Sequence, residues 1–221
     1  MIWVFSVSSR HFRISIPNLA LNTDAILAEN LIVQLETILA PLTLGKLFSR
    51  SRPLEVELGC GDASFLAEYA RQNPETNFIG VERLLGRMQK LHRKGTRLGL
   101  TNVRGVRIES AYFLQYLLPK HSAQAVHVYF PDPWPKKKHR RHRIINEGFP
   151  ALAESALEPG GVVYLRTDDT DYFGQMNEVF SASPRFGKTE IPESLAQITT
   201  DFERDFNAKG IPTLRVAYRL L

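Results

Sequence analysis

From Pro53 onward, short apolar runs alternate with amphipathic stretches, and this alternation constrains the fold more than any other feature of the chain. Leu54-Glu55-Val56-Glu57-Leu58 alternates with period two and stops at Gly59, which predicts a strand. Asp62 to Gln72 predicts a helix with Phe65, Leu66, Tyr69 and Ala70 on one side, closed by Asn73-Pro74. The same reading gives strands over Asn77 to Val81, Val103 to Ile108, Ala125 to Phe130, Val162 to Arg166 and Thr213 to Leu220. Helices are predicted over Leu84 to Leu98, Ser110 to Leu118, Ile144 to Leu157 and Asp168 to Phe180, with Glu158-Pro159-Gly160-Gly161 as a turn. Parallel strands need crossover connections, so this order implies an α/β fold: a mostly parallel sheet with helices on both faces. Ligands bind such sheets beyond the carboxyl ends of the strands, which makes Glu57–Asp62, Glu82, Glu109–Ser110, Asp132 and Thr167–Asp168 rim positions of one site.

The segment before Pro53 is less regular. Residues 1–16 suit a two-stranded hairpin, and Thr23 to Leu39 suits an amphipathic helix through Leu27, Leu31, Leu35, Ile38 and Leu39, stopped by Pro41. We therefore expect residues 51–221 to be one domain, with 1–50 an extension packed on or flanking it. With 43% hydrophobic and 23% charged residues, collagen, mucin-stalk and wholly disordered chains are excluded. No apolar run approaches the ~18 residues of a membrane span. The apolar start Ile2-Trp3-Val4-Phe5 lacks the basic lead of a secretory signal. A single cysteine, Cys60, rules out an intramolecular disulfide and a cysteine-rich zinc site, and points to a reducing cytoplasm. Histidines 127, 139 and 142 have no metal-ligand spacing, so no metal is expected.

Charge is concentrated. Lys136 to Arg143 reads KKKHRRHR, six basic residues and two histidines without an acid; outside it, 22 basic residues face 23 acidic ones. A positive excess packed into eight residues is a local footprint for a polyanion, although a solvated loop or a nuclear-localisation-like run has the same composition.

The turn Glu57-Leu58-Gly59-Cys60-Gly61-Asp62 follows a strand and opens a helix, as in nucleotide-binding loops. Glu82 ends the next strand 21 positions after Gly61, near the ~20-residue spacing of a carboxylate that holds ribose hydroxyls. A dinucleotide would place its pyrophosphate at the helix N-terminus. Glu57 and Asp62 would repel it there, and Ser64 stands in place of the third fingerprint glycine. A ligand with an ammonium and a sulfonium would be attracted, and S-adenosylmethionine (SAM) carries both. Ser110 suits either a hydrogen bond to an adenine or a helix cap. Cys60 suits a small packing residue better than a nucleophile.

Phe130-Pro131-Asp132-Pro133-Trp134-Pro135 runs straight into the basic octamer. Three prolines in five residues stiffen the backbone and would present Asp132 rigidly into the cleft. Trp134 suits stacking on a base or core packing. Together with Ile79-Gly-Val-Glu82-Arg83, Arg166-Thr-Asp168 and Thr200-Asp-Phe-Glu203, these stretches resemble the tRNA (guanine-N7)-methyltransferases, which modify a guanine in the tRNA variable loop. The resemblance spans residues 54 to 219, about three-quarters of the chain, and the proline-aspartate-proline-tryptophan block with its basic tail is its most specific part.

The resemblance implies a Rossmann-like class I methyltransferase fold, SAM as methyl donor, tRNA as partner and a cytoplasmic setting; it leaves monomer and homodimer both open. It places Glu57, Gly59, Gly61, Glu82, Ser110 and Asp132 at SAM, with Asp132 also catalytic. It places Lys136, Asp168, Thr200, Asp201, Phe202 and Glu203 at the substrate, and Lys138, His139, Arg140, Arg141, His142 and Arg143 on the RNA. Two positions depart from the family: Ser110, where relatives often have Asp, and Ala63, where many methyltransferases have Gly. By pattern alone, Thr200 and Glu203 also form a capping box. Guanine N7 carries a lone pair outside the aromatic sextet, so the expected chemistry is alignment and electrostatics rather than base catalysis. The competing expectations are a methyltransferase of another RNA or a protein, a non-catalytic RNA-binding protein, and a nicotinamide dehydrogenase.

Overall fold

The computed structural model describes residues 30–221. The hairpin expected over residues 1–16 and the first part of the expected helix, 23–29, lie outside them. Residues 30–39 form no helix, which corrects the rest of that expectation. Instead, Ile32 bridges Gly105 in parallel; Val33 N donates to Gly105 O at 2.8 Å and Gly105 N donates to Leu31 O at 2.7 Å. A sheet edge leaves backbone groups unpaired, and satisfying them here outweighs the segment's helical periodicity.

Seven strands make one sheet: β1 (Leu54–Leu58), β2 (Asn77–Val81), β3 (Val103–Val106), β4 (Ala123–Tyr129), β5 (Leu157–Thr167), β6 (Phe186–Thr189) and β7 (Leu214–Leu220). Their order is β3-β2-β1-β4-β5-β7-β6. β1 to β5 are mutually parallel, and β7 runs antiparallel to β5 and to β6. The chain builds outward in one direction from β1 and resumes on the other side with β4, so the crevice of the topological switch lies beyond the paired ends of β1 and β4.

Val56, Leu58, Val126, Val128, Val163 and Leu165 line one sheet face, under helices Phe149–Ala156 and Thr170–Ser181. The opposite face is covered around β1 to β3 by helices Ser64–Gln72 and Leu85–Arg97, through Leu66, Ala70, Met88 and Leu91. Every residue of β1 is buried, so its two glutamates face a covered surface rather than water.

Beyond shifts of one or two residues at other ends, three element bounds differ from expectation. The helix expected over Ile144 to Leu157 occupies only Phe149–Ala156. Asn146 turns the preceding chain, accepting from Gly148 N at its side chain (3.0 Å) and from Phe149 N at its carbonyl (2.9 Å). The expected turn at Glu158–Gly161 is a bulge inside β5: Leu157 pairs with Ala123 and Val162 with Ala125, and Gly160 takes φ +79. Ser110–Tyr112 is α-helical but passes into a π-turn over Phe113–Leu117. Strand β6 has no clear alternation in its sequence, and nothing in the linear pattern predicts it.

Candidate active site

The glycine turn is fixed at both ends. Gly59 N and Cys60 N both donate to Val81 O, at 2.8 and 2.9 Å, which folds the loop over the end of β2 and brings Glu82 beside it. Gly59 and Gly61 have φ +74 and +54, a region closed to most side chains. Ala63 completes the turn at φ 59, so this chain bears with alanine a left-handed position where glycine would be relaxed. Cys60 is buried and its thiol is pushed well up by burial, which leaves it a packing group.

Three carboxylates surround this loop and a fourth, Glu55, lies deeper in β1; the structure treats them differently. Glu82 is buried; one oxygen accepts from Leu84 N at 2.8 Å and the other lies 3.6 Å from Arg87. Asp62 accepts from Ser64 N at 3.1 Å and pairs with Lys94 at 3.1 Å. Burial alone would raise its carboxyl, but the Lys94 ammonium and the Ser64 contacts outweigh that and hold it below the usual range. Asp62 is thus ionised but paired with Lys94, which weakens the repulsion of a pyrophosphate expected from the sequence. Glu57 is 3% exposed, and its Oε2 has no hydrogen-bond partner among the described residues. Burial pushes its carboxyl up to about 8, against the pull of Arg166 and with a smaller push from Asp62 and Glu82. A buried carboxylate oxygen without a donor is costly, so this atom favours the approach of a cationic or hydrogen-bond-donating group. The fourth, Glu55, is satisfied: Gln124 donates to Oε1 at 2.7 Å, and His127 Nε2 lies 2.6 Å from Oε2. His127 is fully buried, stacked on Tyr164, with Nδ1 2.7 Å from the Tyr129 hydroxyl; it belongs to the core.

Asp132 follows β4, whose Val128 is in register with Leu58 of β1; one residue past Leu58 is Gly59. The rigid carboxylate and the glycine loop therefore leave neighbouring strands at the same sheet edge. Asp132 is exposed, and positive φ values bracket it at Phe130 (49) and Trp134 (44). Such backbone strain persists only where its surroundings enforce it, and it clusters at functional sites. Trp134 is 38% exposed, edge-on to His139 at 5.9 Å and tilted against His142 at 5.2 Å; it is not a core residue. Ser110 is half-buried at the start of its helix, but Glu109 makes the cap, accepting from Ala111 N and Tyr112 N at 2.9 and 2.7 Å.

The octamer forms a 3-10 turn over Lys137–His142, tied through Arg140 and Arg143 to Asp171 in the first turn of the helix that follows β5, at the same carboxyl end of the sheet. Its charges divide into two sets. Lys136, Lys138, Arg141 and His142 are exposed and His139 is partly so. Arg143, expected on the RNA, is 1% exposed: it donates to Pro133 O (2.6 Å), Gln175 (2.8 Å) and Asp171 (2.7 Å), and lies over the Tyr172 ring at 4.6 Å. It is an anchor, closed to phosphate. Arg140 pairs with the other Asp171 oxygen at 2.5 Å.

The Thr200–Glu203 stretch is the expected capping box in part. Thr200 Oγ1 accepts from Glu203 N at 2.9 Å and starts the helix Asp201–Ala208. Asp201 N donates to Ser64 Oγ at 3.1 Å, which docks this helix on the first residue after the glycine turn. Phe202 is 51% exposed, and Asp168 sits half-buried just past β5. Glu203, expected at the substrate, is instead fully buried between Arg166 (3.0 Å) and Arg215. The linear motifs assign Arg166 no role of its own; the available signal is an arginine inside an otherwise apolar strand. Among the described residues, no group of His, Cys, Asp or Glu is placed to hold a metal.

Sheet order, switch point and loop define the class I SAM-dependent methyltransferase fold. Solved structures agree: the 16S rRNA methyltransferase KamB superposes with a TM-score of 0.58 over 80% of this chain and 92% of that one, at 15% identity. The model of a family described as "Putative methyltransferase" matches residues 51–216. The tRNA (guanine-N(7)-)-methyltransferase of Chromohalobacter salexigens is 40% identical over 152 residues, covering 69% of this chain and 62% of that protein. The one of Halorhodospira halophila is 34% identical, covering 81% and 80%. The chain belongs to the tRNA (guanine-N7)-methyltransferase family. It spans about six-tenths of the length of several of these relatives.

Proposed function

We propose that this protein transfers a methyl group from SAM to N7 of a guanine in the variable loop of tRNA. The observation that carries this reading is the unpartnered, buried Oε2 of Glu57 at the switch point, on the sheet edge that also presents Asp132 and the exposed Lys136, Lys138 and Arg141. An anionic pocket beside a cationic ridge suits a cationic methyl donor and a polyanionic acceptor.

When bound, SAM supplies an electrophilic methyl carbon. Glu57 would hold the donor's ammonium, Glu82 its ribose hydroxyls and Ser110 its base edge, and Gly59 and Gly61 would let it approach the backbone. Asp132 orients the guanine through its N–H edge and stabilises the positive charge that the purine ring gains as the N7–carbon bond forms and the sulfur–carbon bond breaks. No side chain is needed as a base, because N7 attacks with a free lone pair. Asp168, Thr200, Asp201 and Phe202 line the guanine side, and Lys136, Lys138, His139, Arg141 and His142 hold the RNA backbone. Residues 30–50 pack on this core, with Leu31 and Phe48 buried in it. Such an enzyme works in the cytoplasm with its tRNA. Among the described residues, no helix is long and apolar enough to cross a membrane.

Methyl-labelled SAM incubated with the protein and unmodified tRNA transcripts tests the reading. Label should enter a transcript with guanine in the variable loop and not one with adenine there. Equal labelling of both would refute it.

A further inference from the structure

We propose that Arg166 is a positioning residue that fixes the 195–203 segment, and with it the guanine side of the cleft, against the ends of β4 and β5. This rests on the methyltransferase reading above. Arg166 is the penultimate residue of β5 and is 1% exposed. One terminal nitrogen donates to Ile198 O (2.7 Å) and Glu203 Oε2 (3.0 Å), the other to Leu195 O (2.7 Å). Its flat face lies 4.3 Å from the centre of the Tyr129 ring, and Phe65 flanks it at 5.5 Å.

The segment it holds has little regular structure of its own. Between β6 and the helix Asp201–Ala208 there is only one helical turn, Glu193–Ala196. Arg166 takes two carbonyls from this stretch and, through Glu203, the first turn of the next helix, whose Asp201 touches the glycine-turn helix at Ser64. Arg215, opposite Arg166 across the β5–β7 ladder, takes the other Glu203 oxygen. One carboxylate thus lies between two guanidiniums, and Arg166, with a smaller pull from Lys94, also draws the Glu57 carboxyl down against its burial. The same side chain therefore sets the acceptor wall and biases Glu57, the carboxylate proposed to meet the donor. A lysine cannot replace it: three acceptors and an aromatic face need a planar fork with several donors.

Arg166→Lys, compared with the wild type, tests this by three readouts. Amide exchange of peptides covering 190–200 should quicken at least tenfold while peptides of β1 and β4 stay unchanged. The kcat at saturating tRNA should fall about tenfold or more, with SAM affinity within a few-fold of the wild type. Adding Glu203→Gln should cost less than Glu203→Gln costs in the wild type, since the two side chains are coupled, although its bond to Arg215 is lost as well. Unchanged exchange at 190–200, or losses that multiply in the double variant, would overturn the proposal. If Arg166→Lys does not fold, Arg215→Lys, which loosens the same carboxylate from a partly exposed position, should show a smaller loss of the same pattern; no loss there overturns it as well. Failure of the wild type to methylate any tRNA strikes the methyltransferase reading instead, and the exchange result still decides whether Arg166 holds the segment.

Discussion

Arg143 donates to Asp171 across the root of the basic turn at 2.7 Å, so the most buried cation of the octamer holds the octamer in place rather than the RNA. Arg140 takes the second Asp171 oxygen, and the Asp171 carboxyl is held below its usual range chiefly by the hydrogen bond from Arg143. The exposed lysines and Arg141 are thereby presented from a fixed base.

This division makes two sets of variants behave differently. Neutralising Lys136, Lys138 and Arg141 together should weaken tRNA binding and lower the log–log salt slope by about one unit for each phosphate no longer neutralised, with an unchanged melting temperature. Arg143→Ala should leave the slope nearly unchanged and cost about 2 kcal/mol of stability, below the usual cost of breaking a buried pair because Asp171 can rehydrate. Salt titrations of binding and urea unfolding separate the two.

Glu57→Gln should weaken SAM binding about tenfold or more and stabilise the free protein near neutrality. The sign follows from its raised pKa. Between the ordinary value of 4.5 and about 8, the unfolded chain has released the proton that the folded chain keeps, so rising pH lowers stability across that window. The variant should lose this slope. Binding of an ammonium at Glu57 should also expel a proton at pH 7, measurable by calorimetry in buffers of different ionisation enthalpy. A flat stability profile for the wild type over that range would contradict the assignment.

Asp132→Ala should reduce kcat about 100-fold while leaving SAM affinity within a few-fold and the fold intact, since Asp132 is exposed and its backbone is set by the flanking prolines. Single-turnover methyl transfer with saturating tRNA is the measurement. Near wild-type turnover would remove it from the chemistry.

His127→Ala should cost about 3 kcal/mol in urea unfolding, because it leaves the buried Glu55 with Gln124 on one oxygen and nothing among the described residues on the other. Replacing both residues by apolar ones should recover much of that loss. A double-variant loss equal to the sum of the two single losses would show that the pair is not coupled.

Much of this site is legible in the sequence because strand ends announce themselves: Leu58-Gly59, Val81-Glu82 and Tyr129 to Asp132 all switch from apolar to special residues at the rim. The same local logic cannot say which charges are spent inside the protein. Arg143 and Glu203 look like ligands in a linear motif, and only the fold brings Asp171, Gln175, Arg166 and Arg215 to them. Likewise, the helical period at 30–39 is real but loses to edge pairing with Gly105, a partner more than 70 positions away.

Mass spectrometry of nucleosides from tRNA incubated with the protein and SAM tests the central claim most directly. The account predicts newly formed N7-methylguanosine, mapped to one variable-loop guanine. Methylation at any other atom, or none despite demonstrated SAM binding, would contradict it.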